Sequence, residues 1–123
     1  LKNILDIFYV GSHTLSHLDL TQVSEQELIF ELNESKKILE KEINTEIKHF
    51  CYPFGKVPKK YKEVLQRTNY QTATTLKNGL IYKNNKNLDF YLLPRIEWKE
   101  ISNMSFKDFI KNLDFYLKIL FAV

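Results

Sequence analysis

Short apolar runs alternate with helical segments along this chain, and this alternation constrains the fold more than any other feature. The clearest helix is predicted over residues 24–43, where Ser24 and Glu27 form a capping box and leucine and isoleucine recur at helical spacing. On either side lie runs rich in β-branched and aromatic residues, ILDIFYV at 4–10 and IKHFCYPFG at 47–55, and both predict short strands. A strand, a helix and a second strand in this order favour parallel pairing.

The middle of the chain repeats the pattern. A second helix is predicted from Pro58 to about residue 68, because proline is well tolerated in a first helical turn. YQTATT at 70–75 predicts another strand. Residues 76–87 are polar and turn-forming, and a short hairpin is expected around Asn78–Gly79.

The last segments complete an α/β order. A strand interrupted by Pro94 is predicted over 90–98, and a C-terminal helix over 105–123 with Ser105 as its N-cap. Three or four strands cannot close a barrel, which typically needs about eight. The sequence therefore predicts an α/β fold with parallel strands, a partial barrel whose exposed edges would favour a homodimer.

Composition places the chain among folded single domains. The 123 residues are 44% hydrophobic and carry a net charge of +3, so residues 1–123 are interpreted as one domain. No apolar run approaches the roughly 20 residues that span a bilayer. Lysines cluster without the combination of arginines and interleaved aromatic residues that is typical of a nucleic-acid groove, which indicates a solvated face and argues against a nucleic-acid partner. The members of that cluster are Lys56, Lys59, Lys60 and Lys62.

Two of the three histidines lie four positions apart in GSHTLSHLDLT, at residues 11–21. Imidazole is a common metal ligand at neutral pH, and residues i and i+4 face the same way on a helical turn. His13 and His17 could therefore share an ion. The alternative is a polar turn without a metal, since the glutamate of an H-E-x-x-H metalloprotease is absent.

Three segments in order resemble the polysaccharide deacetylases, the NodB-homology or carbohydrate esterase family 4 enzymes. GSHTLSHLDL resembles the family's His-[Ser/Thr]-x-x-His zinc motif, and CYPFG at 51–55 resembles its Arg-x-Pro-Tyr-Gly motif. LPRIEW at 93–98 resembles the late Leu-x-His motif. The resemblance implies a distorted (β/α) barrel that removes N-acetyl groups from glycans. It also implies that His13 and His17 are zinc ligands and that the backbone N–H of Phe54 stabilises the oxyanion.

The chain departs from that pattern at three places. The Thr-Phe-Asp-Asp motif, which supplies the family's base and third zinc ligand, does not occur in the sequence. The arginine of the second motif is Cys51, and the late histidine is Arg95. We therefore interpret the chain as the C-terminal portion of a deacetylase domain without its N-terminal strands, which is expected to be inactive alone. His49 is expected to be a packed or edge residue.

Two questions stay open on the sequence. Arg95 is expected to end a strand near the histidines and to compensate for the lost arginine by pairing with the missing base; the alternative is a surface pair with Glu97 or Glu100. The chain as a whole is interpreted as part of a zinc hydrolase acting on an N-acetylated glycan at the cell surface or in the periplasm. The alternative is a non-catalytic module that self-associates or binds a partner.

Overall fold

The computed structural model describes residues 9–79, 81 and 86–95. In these residues the chain forms short strands that alternate with helices, as the apolar pattern predicts. The strands are β1 (Gly11–Ser12), β2 (His49–Cys51), β3 (Thr72–Asn78) and β4 (Leu93–Arg95). The helices are α1 (Glu25–Ile43) and α2 (Tyr61–Arg67), and a 3₁₀ turn covers Pro53–Gly55.

All pairings in the described sheet are parallel, and the strand order is β1-β2-β3-β4. His49 at the start of β2 pairs with Gly11 on one side and with Thr72 on the other. Helix α1 connects β1 to β2, and α2 connects β2 to β3. The predicted mixed α/β class with parallel strands is confirmed. Because the strands are parallel, their carboxyl ends lie at one edge of the sheet, where sites form in such folds.

The core lies between the helices and the sheet. A set of apolar side chains from α1, α2, the strands and the segments between them is at most 8% exposed and forms one cluster. Its members are Leu20, Leu28, Leu32, Ile43, Ile47, Phe50, Tyr52, Val64, Leu65, Tyr70 and Ala73. The two buried tyrosine hydroxyls have partners, since Tyr52 donates to the Tyr91 carbonyl and Tyr70 to the Leu32 carbonyl, each at 3.0 Å. The core is therefore closed without leaving these polar atoms unsatisfied.

The predicted first helix is confirmed at both ends. Ser24 is its N-cap, and the hydroxyl accepts a hydrogen bond from the Glu27 N–H at 3.2 Å. At the other end Asn44 adopts the left-handed conformation with φ of 52°. A left-handed residue after the last turn is the common way for a helix to end, and asparagine tolerates it better than most residues.

Several predicted bounds are wrong by two or three residues. The first strand, predicted over 4–10, lies at Gly11–Ser12. Residues 9–10 are not part of it, and residues 1–8 are outside the described part. The second helix begins at Tyr61 because the Pro58 carbonyl accepts from the Tyr61 N–H at 3.2 Å, which closes a tight turn before the helix. β3 starts at Thr72 and runs to Asn78.

At Asn78, where a hairpin was predicted, the structure has parallel strand pairing instead. Asn78 pairs with Arg95 of β4, so the residue assigned to a turn ends a strand. Parallel pairing with a later strand supplies hydrogen bonds that local turn propensity does not reveal. Residues 80 and 82–85, the rest of the expected hairpin, lie outside the described residues, as do 96–98 of the last predicted strand and the predicted helix 105–123.

The lysine cluster is solvated, as expected. Lys56, Lys60 and Lys62 have side chains that are 54–61% exposed, and each contacts an acidic side chain. The absence of a nucleic-acid partner stays a prediction. So does the homodimer, although Phe30 and Ile38 on α1 are 56% and 48% exposed. Among the described residues no helix has the length and apolar character to cross a bilayer.

The left-handed end of α1 predicts different effects on stability for one substitution at two sites. Asn44→Ala should lower the free energy of unfolding by about 1 kcal/mol, because alanine is strained at positive φ. Asn33→Ala, at an exposed position inside the same helix, should leave stability unchanged or raise it by up to about 0.7 kcal/mol. Urea unfolding followed by circular dichroism measures both. Equal effects at the two sites would contradict the assigned helix end.

Candidate active site at the carboxyl ends of the strands

Three strands bring the predicted site residues to one edge of the sheet. His13 directly follows β1, the Pro53–Gly55 turn follows β2 after a single residue, and Arg95 is the last residue of β4. Their closeness is a consequence of parallel pairing, which stacks the strand ends in register.

The two histidine rings lie together, but not by the helical geometry that their spacing suggested. The segment after β1 is not helical, because Thr14 and His17 both have positive φ, at 69° and 54°. The Thr14 hydroxyl accepts a hydrogen bond from the His17 N–H at 3.0 Å and closes a compact loop. The ring centroids are 4.8 Å apart and the ring planes meet at 64°. We call residues 13–17 the histidine loop.

A backbone carbonyl fixes the orientation of the first histidine. His13 Nδ1 lies 2.7 Å from the carbonyl oxygen of Cys51 at the end of β2. A carbonyl oxygen only accepts hydrogen bonds, so Nδ1 carries the proton and Nε2 of the neutral ring keeps its lone pair. The exposed ring therefore presents one available nitrogen at the sheet edge.

The Pro53–Gly55 turn is tightly specified. The Gly55 N–H donates to the Tyr52 carbonyl at 3.0 Å, and the N–H of the following Lys56 donates to the Pro53 carbonyl at 3.1 Å. Neither hydrogen bond uses the N–H of Phe54. Phe54 has φ of 56°. Gly55 has φ of 65°, and a Cβ there would lie 2.7 Å from the Leu76 side chain, so only glycine fits. These two successive left-handed residues make the sharp turn at the end of β2.

Side chains tie this turn to the histidine loop and to the residues after it. The Phe54 ring, which is 55% exposed, meets the His17 ring edge-on, with centroids 4.7 Å apart. Lys56 forms an ion pair with Asp19. The Lys56 ammonium, with help from the Thr21 hydroxyl, lowers the pKa of Asp19 to about 2. The carboxylate therefore stays ionised at neutral and mildly acidic pH.

Arg95 lies at the same edge. Its Nη1 is 3.7 Å from Cys51 Sγ, and the carbonyl of that cysteine is the acceptor for His13. The strand is interrupted at Pro94 as predicted, yet Arg95 still pairs with Asn78. The ladder is irregular between Thr74 and Asn78, and this irregularity accommodates a proline without an N–H. Glu97 and Glu100, the alternative partners, lie outside the described residues.

The third histidine lies apart from this pair. His49 starts β2, and its Nδ1 is 2.8 Å from the Thr72 hydroxyl. Partial burial, with a smaller effect of Lys48, lowers the pKa of His49 below its ordinary value. Across residues 9–79, 81 and 86–95 there is no cluster of three histidine, cysteine or acidic side chains able to bind a metal. In that part of the chain, His13 and His17 are the candidate ligand pair.

One residue at this site was missed on the sequence. Glu31 of α1 is 3% exposed, and its Oε2 accepts hydrogen bonds from the N–H groups of Leu15 and Ser16 at 2.9 and 2.8 Å. The available signal was a glutamate on the helix face that also carries Leu28 and Leu32. A charged side chain is rarely buried without a polar partner.

Comparisons with known proteins identify the family. The family model described as polysaccharide deacetylase matches residues 6–73, more than half of the chain. YxkH of Bacillus subtilis (strain 168), an inferred polysaccharide deacetylase, is 27% identical over 70 residues, which are 57% of this chain and 25% of YxkH.

Solved structures show the same fold. The polysaccharide deacetylase BC0361 of Bacillus cereus is 33% identical with a TM-score of 0.65, over 77% of this chain and 30% of that one. The Streptococcus pyogenes deacetylase PplD, solved in complex with acetate, is 29% identical with a TM-score of 0.63, over 70% and 37% of the two chains. The chain thus spans between a quarter and two fifths of these proteins. The fold is a part of the deacetylase barrel, and the chain belongs to the polysaccharide deacetylase family.

Proposed function

We propose that this chain carries part of the active site of a zinc-dependent enzyme that removes N-acetyl groups from a polysaccharide. The observation that carries the proposal is the hydrogen bond from His13 Nδ1 to the Cys51 carbonyl, next to the His17 ring. This bond fixes the tautomer and the orientation that a metal ligand requires. Metal-binding histidines commonly donate their second ring N–H to such a carbonyl.

The separation of the two rings supports a shared zinc ion. With a Zn–N bond of about 2.0–2.1 Å, two imidazoles on a tetrahedral ion have centroids about 5 Å apart. The rings of His13 and His17 are separated by 4.8 Å. Catalytic zinc usually has three protein ligands, so we propose that a third comes from outside the described residues. A chain that supplies two ligands is expected to bind zinc weakly and to be inactive alone.

The remaining residues of the edge have roles in amide hydrolysis. Bound zinc would act as a Lewis acid and lower the pKa of a coordinated water. The Phe54 N–H, left out of the two hydrogen bonds of its turn, would donate to the oxyanion that forms at the amide carbonyl. The left-handed Phe54 and Gly55 hold that N–H in a fixed direction before any substrate binds.

Arg95 would supply positive charge to the same site. The second family motif has an arginine where this chain has Cys51, and the Arg95 guanidinium reaches that cysteine at 3.7 Å. This contact supports the proposal that Arg95 of β4 takes the role of the arginine that β2 lacks. We propose that it pairs with the carboxylate that acts as the base and keeps it ionised.

An N-acetylated glycan is the proposed substrate. PplD, of similar fold, binds acetate, the acid that hydrolysis of an N-acetyl group releases. The site edge exposes the apolar side chains of Phe54 and Leu15, 55% and 44% accessible, which suit the apolar face of a sugar ring. A cell-surface or periplasmic location follows from such a substrate and belongs to the proposal. The non-catalytic alternative explains the exposed Phe30 and Ile38 but not the oriented histidine pair.

Zinc binding tests the histidine pair. In wild-type protein, zinc titration should shift the ring NMR signals of both His13 and His17. His13→Ala and His17→Ala should each lower zinc affinity by at least about tenfold, because a lost ligand leaves a one-histidine site. His49→Ala is the matched control, since that ring lies at the other end of β2, and it should leave the affinity unchanged. Equal losses for all three variants would refute the assigned pair.

Arg95 is tested in the complete enzyme by comparing turnover with stability. Arg95→Ala should lower kcat by about 10²-fold or more on an N-acetylglucosamine oligomer, because the base loses its charge-assisted partner. Arg95→Lys should restore part of kcat, since it keeps the charge but not the planar fork. Urea unfolding of the same variants gives the control. If Arg95→Ala lowers stability strongly and leaves the kcat of the folded fraction intact, the residue is structural.

A further inference from the structure

We infer that Glu31 is the positioning residue of the histidine loop: from helix α1 it holds the backbone between His13 and His17 so that both rings face one ion. This inference rests on the proposed zinc site. Glu31 is outside the three segments that resemble family motifs, and it makes no step of the proposed hydrolysis.

The loop has a conformation that needs support. Thr14 and His17 both lie in the left-handed region, which costs a non-glycine residue of order 1 kcal/mol or more. Such residues persist only where neighbouring contacts fix them. The loop's own bond from His17 N–H to the Thr14 hydroxyl is at an exposed position, where water competes for both groups.

Glu31 of α1 supplies the contacts that restrain the loop backbone. Its Oε2 accepts from Leu15 N–H at 2.9 Å and from Ser16 N–H at 2.8 Å, the two residues between the strained positions. The side chain is 3% exposed, so water competes little for these bonds. Hydrogen bonds to an ionised acceptor are about twice as strong as neutral ones. A carboxylate in contact with the loop also favours binding of a cation close to it.

A second contact from the same helix face fixes the start of the loop. Ser35, one turn after Glu31, has its hydroxyl 2.7 Å from that of Ser12, and both side chains are buried. Residues i and i+4 lie on one face of a helix, so α1 contacts the chain immediately before His13 and again between the histidines. The helix that connects β1 to β2 thus also sets the position of the ligand loop.

The test measures zinc affinity and loop protection in the same proteins. Glu31→Ala should weaken zinc binding by about 10- to 100-fold, the range seen when an outer partner of metal ligands is lost. Glu31→Gln should weaken it by only about threefold, because both bonds use one oxygen that the glutamine carbonyl can replace without the charge. In the metal-free protein, amide hydrogen exchange at Leu15 and Ser16 should rise in the order wild type, Gln, Ala.

Glu34→Gln is the matched control, since it lies on the same helix in an ion pair with Lys37 and should change neither readout. If the Glu31→Ala variant does not fold, the Glu31→Gln variant alone tests the inference. Wild-type zinc affinity in the folded Glu31 variants overturns the inference. If wild-type protein binds no zinc, the proposed function fails instead. In that case amide exchange in the Glu31 variants tests the role of Glu31. Faster exchange at Leu15 and Ser16 than in wild type supports the claim that Glu31 restrains the loop, and unchanged exchange refutes it.

Discussion

The parallel pairing of β1 with β2 is the constraint on which the site depends. Gly11 pairs with His49 and Ser12 with Phe50, so His13 lies at the same position along the strands as Cys51. Because of this register, His13 Nδ1 lies 2.7 Å from the Cys51 carbonyl oxygen. A shift of one residue in this register would move the ring by about 3.3 Å along the strand and break the bond. β1 has only two residues, so its register must be fixed by contacts beyond the ladder.

Those contacts come from α1. The buried Ser12–Ser35 hydrogen bond and the Glu31 bonds to the loop attach the end of β1 to a helix whose Leu28 and Leu32 lie in the core. The energetic order is therefore clear. Apolar burial fixes α1 on the sheet, and polar contacts from α1 then place a short strand and an exposed loop that could not hold their own geometry. The metal site is proposed on this exposed loop, whose position depends on the contacts from α1.

Much of this could be predicted from local sequence. The capping box located α1 within a residue, and the ordered motifs GSHTLSHLDL and CYPFG pointed to two loops that the structure brings together. The predictions failed where long-range pairing decides. Asn78 looks like a turn residue but pairs with Arg95 of β4. The place of Glu31 on the apolar face of α1 could have indicated its burial, but no side-chain pattern reveals its partners, which are backbone amides 15 and 16 positions away.

The most direct test of the zinc-site proposal is an anomalous difference map at the zinc absorption edge, from crystals of this chain soaked in a zinc salt. The proposal predicts one peak within about 2.0–2.1 Å of Nε2 of His13 and of one ring nitrogen of His17, with the His13–Cys51 hydrogen bond intact. Incomplete occupancy is expected from a chain that supplies two ligands. A peak bound by His49 alone, or no peak between His13 and His17 at saturating zinc, would contradict the central claim.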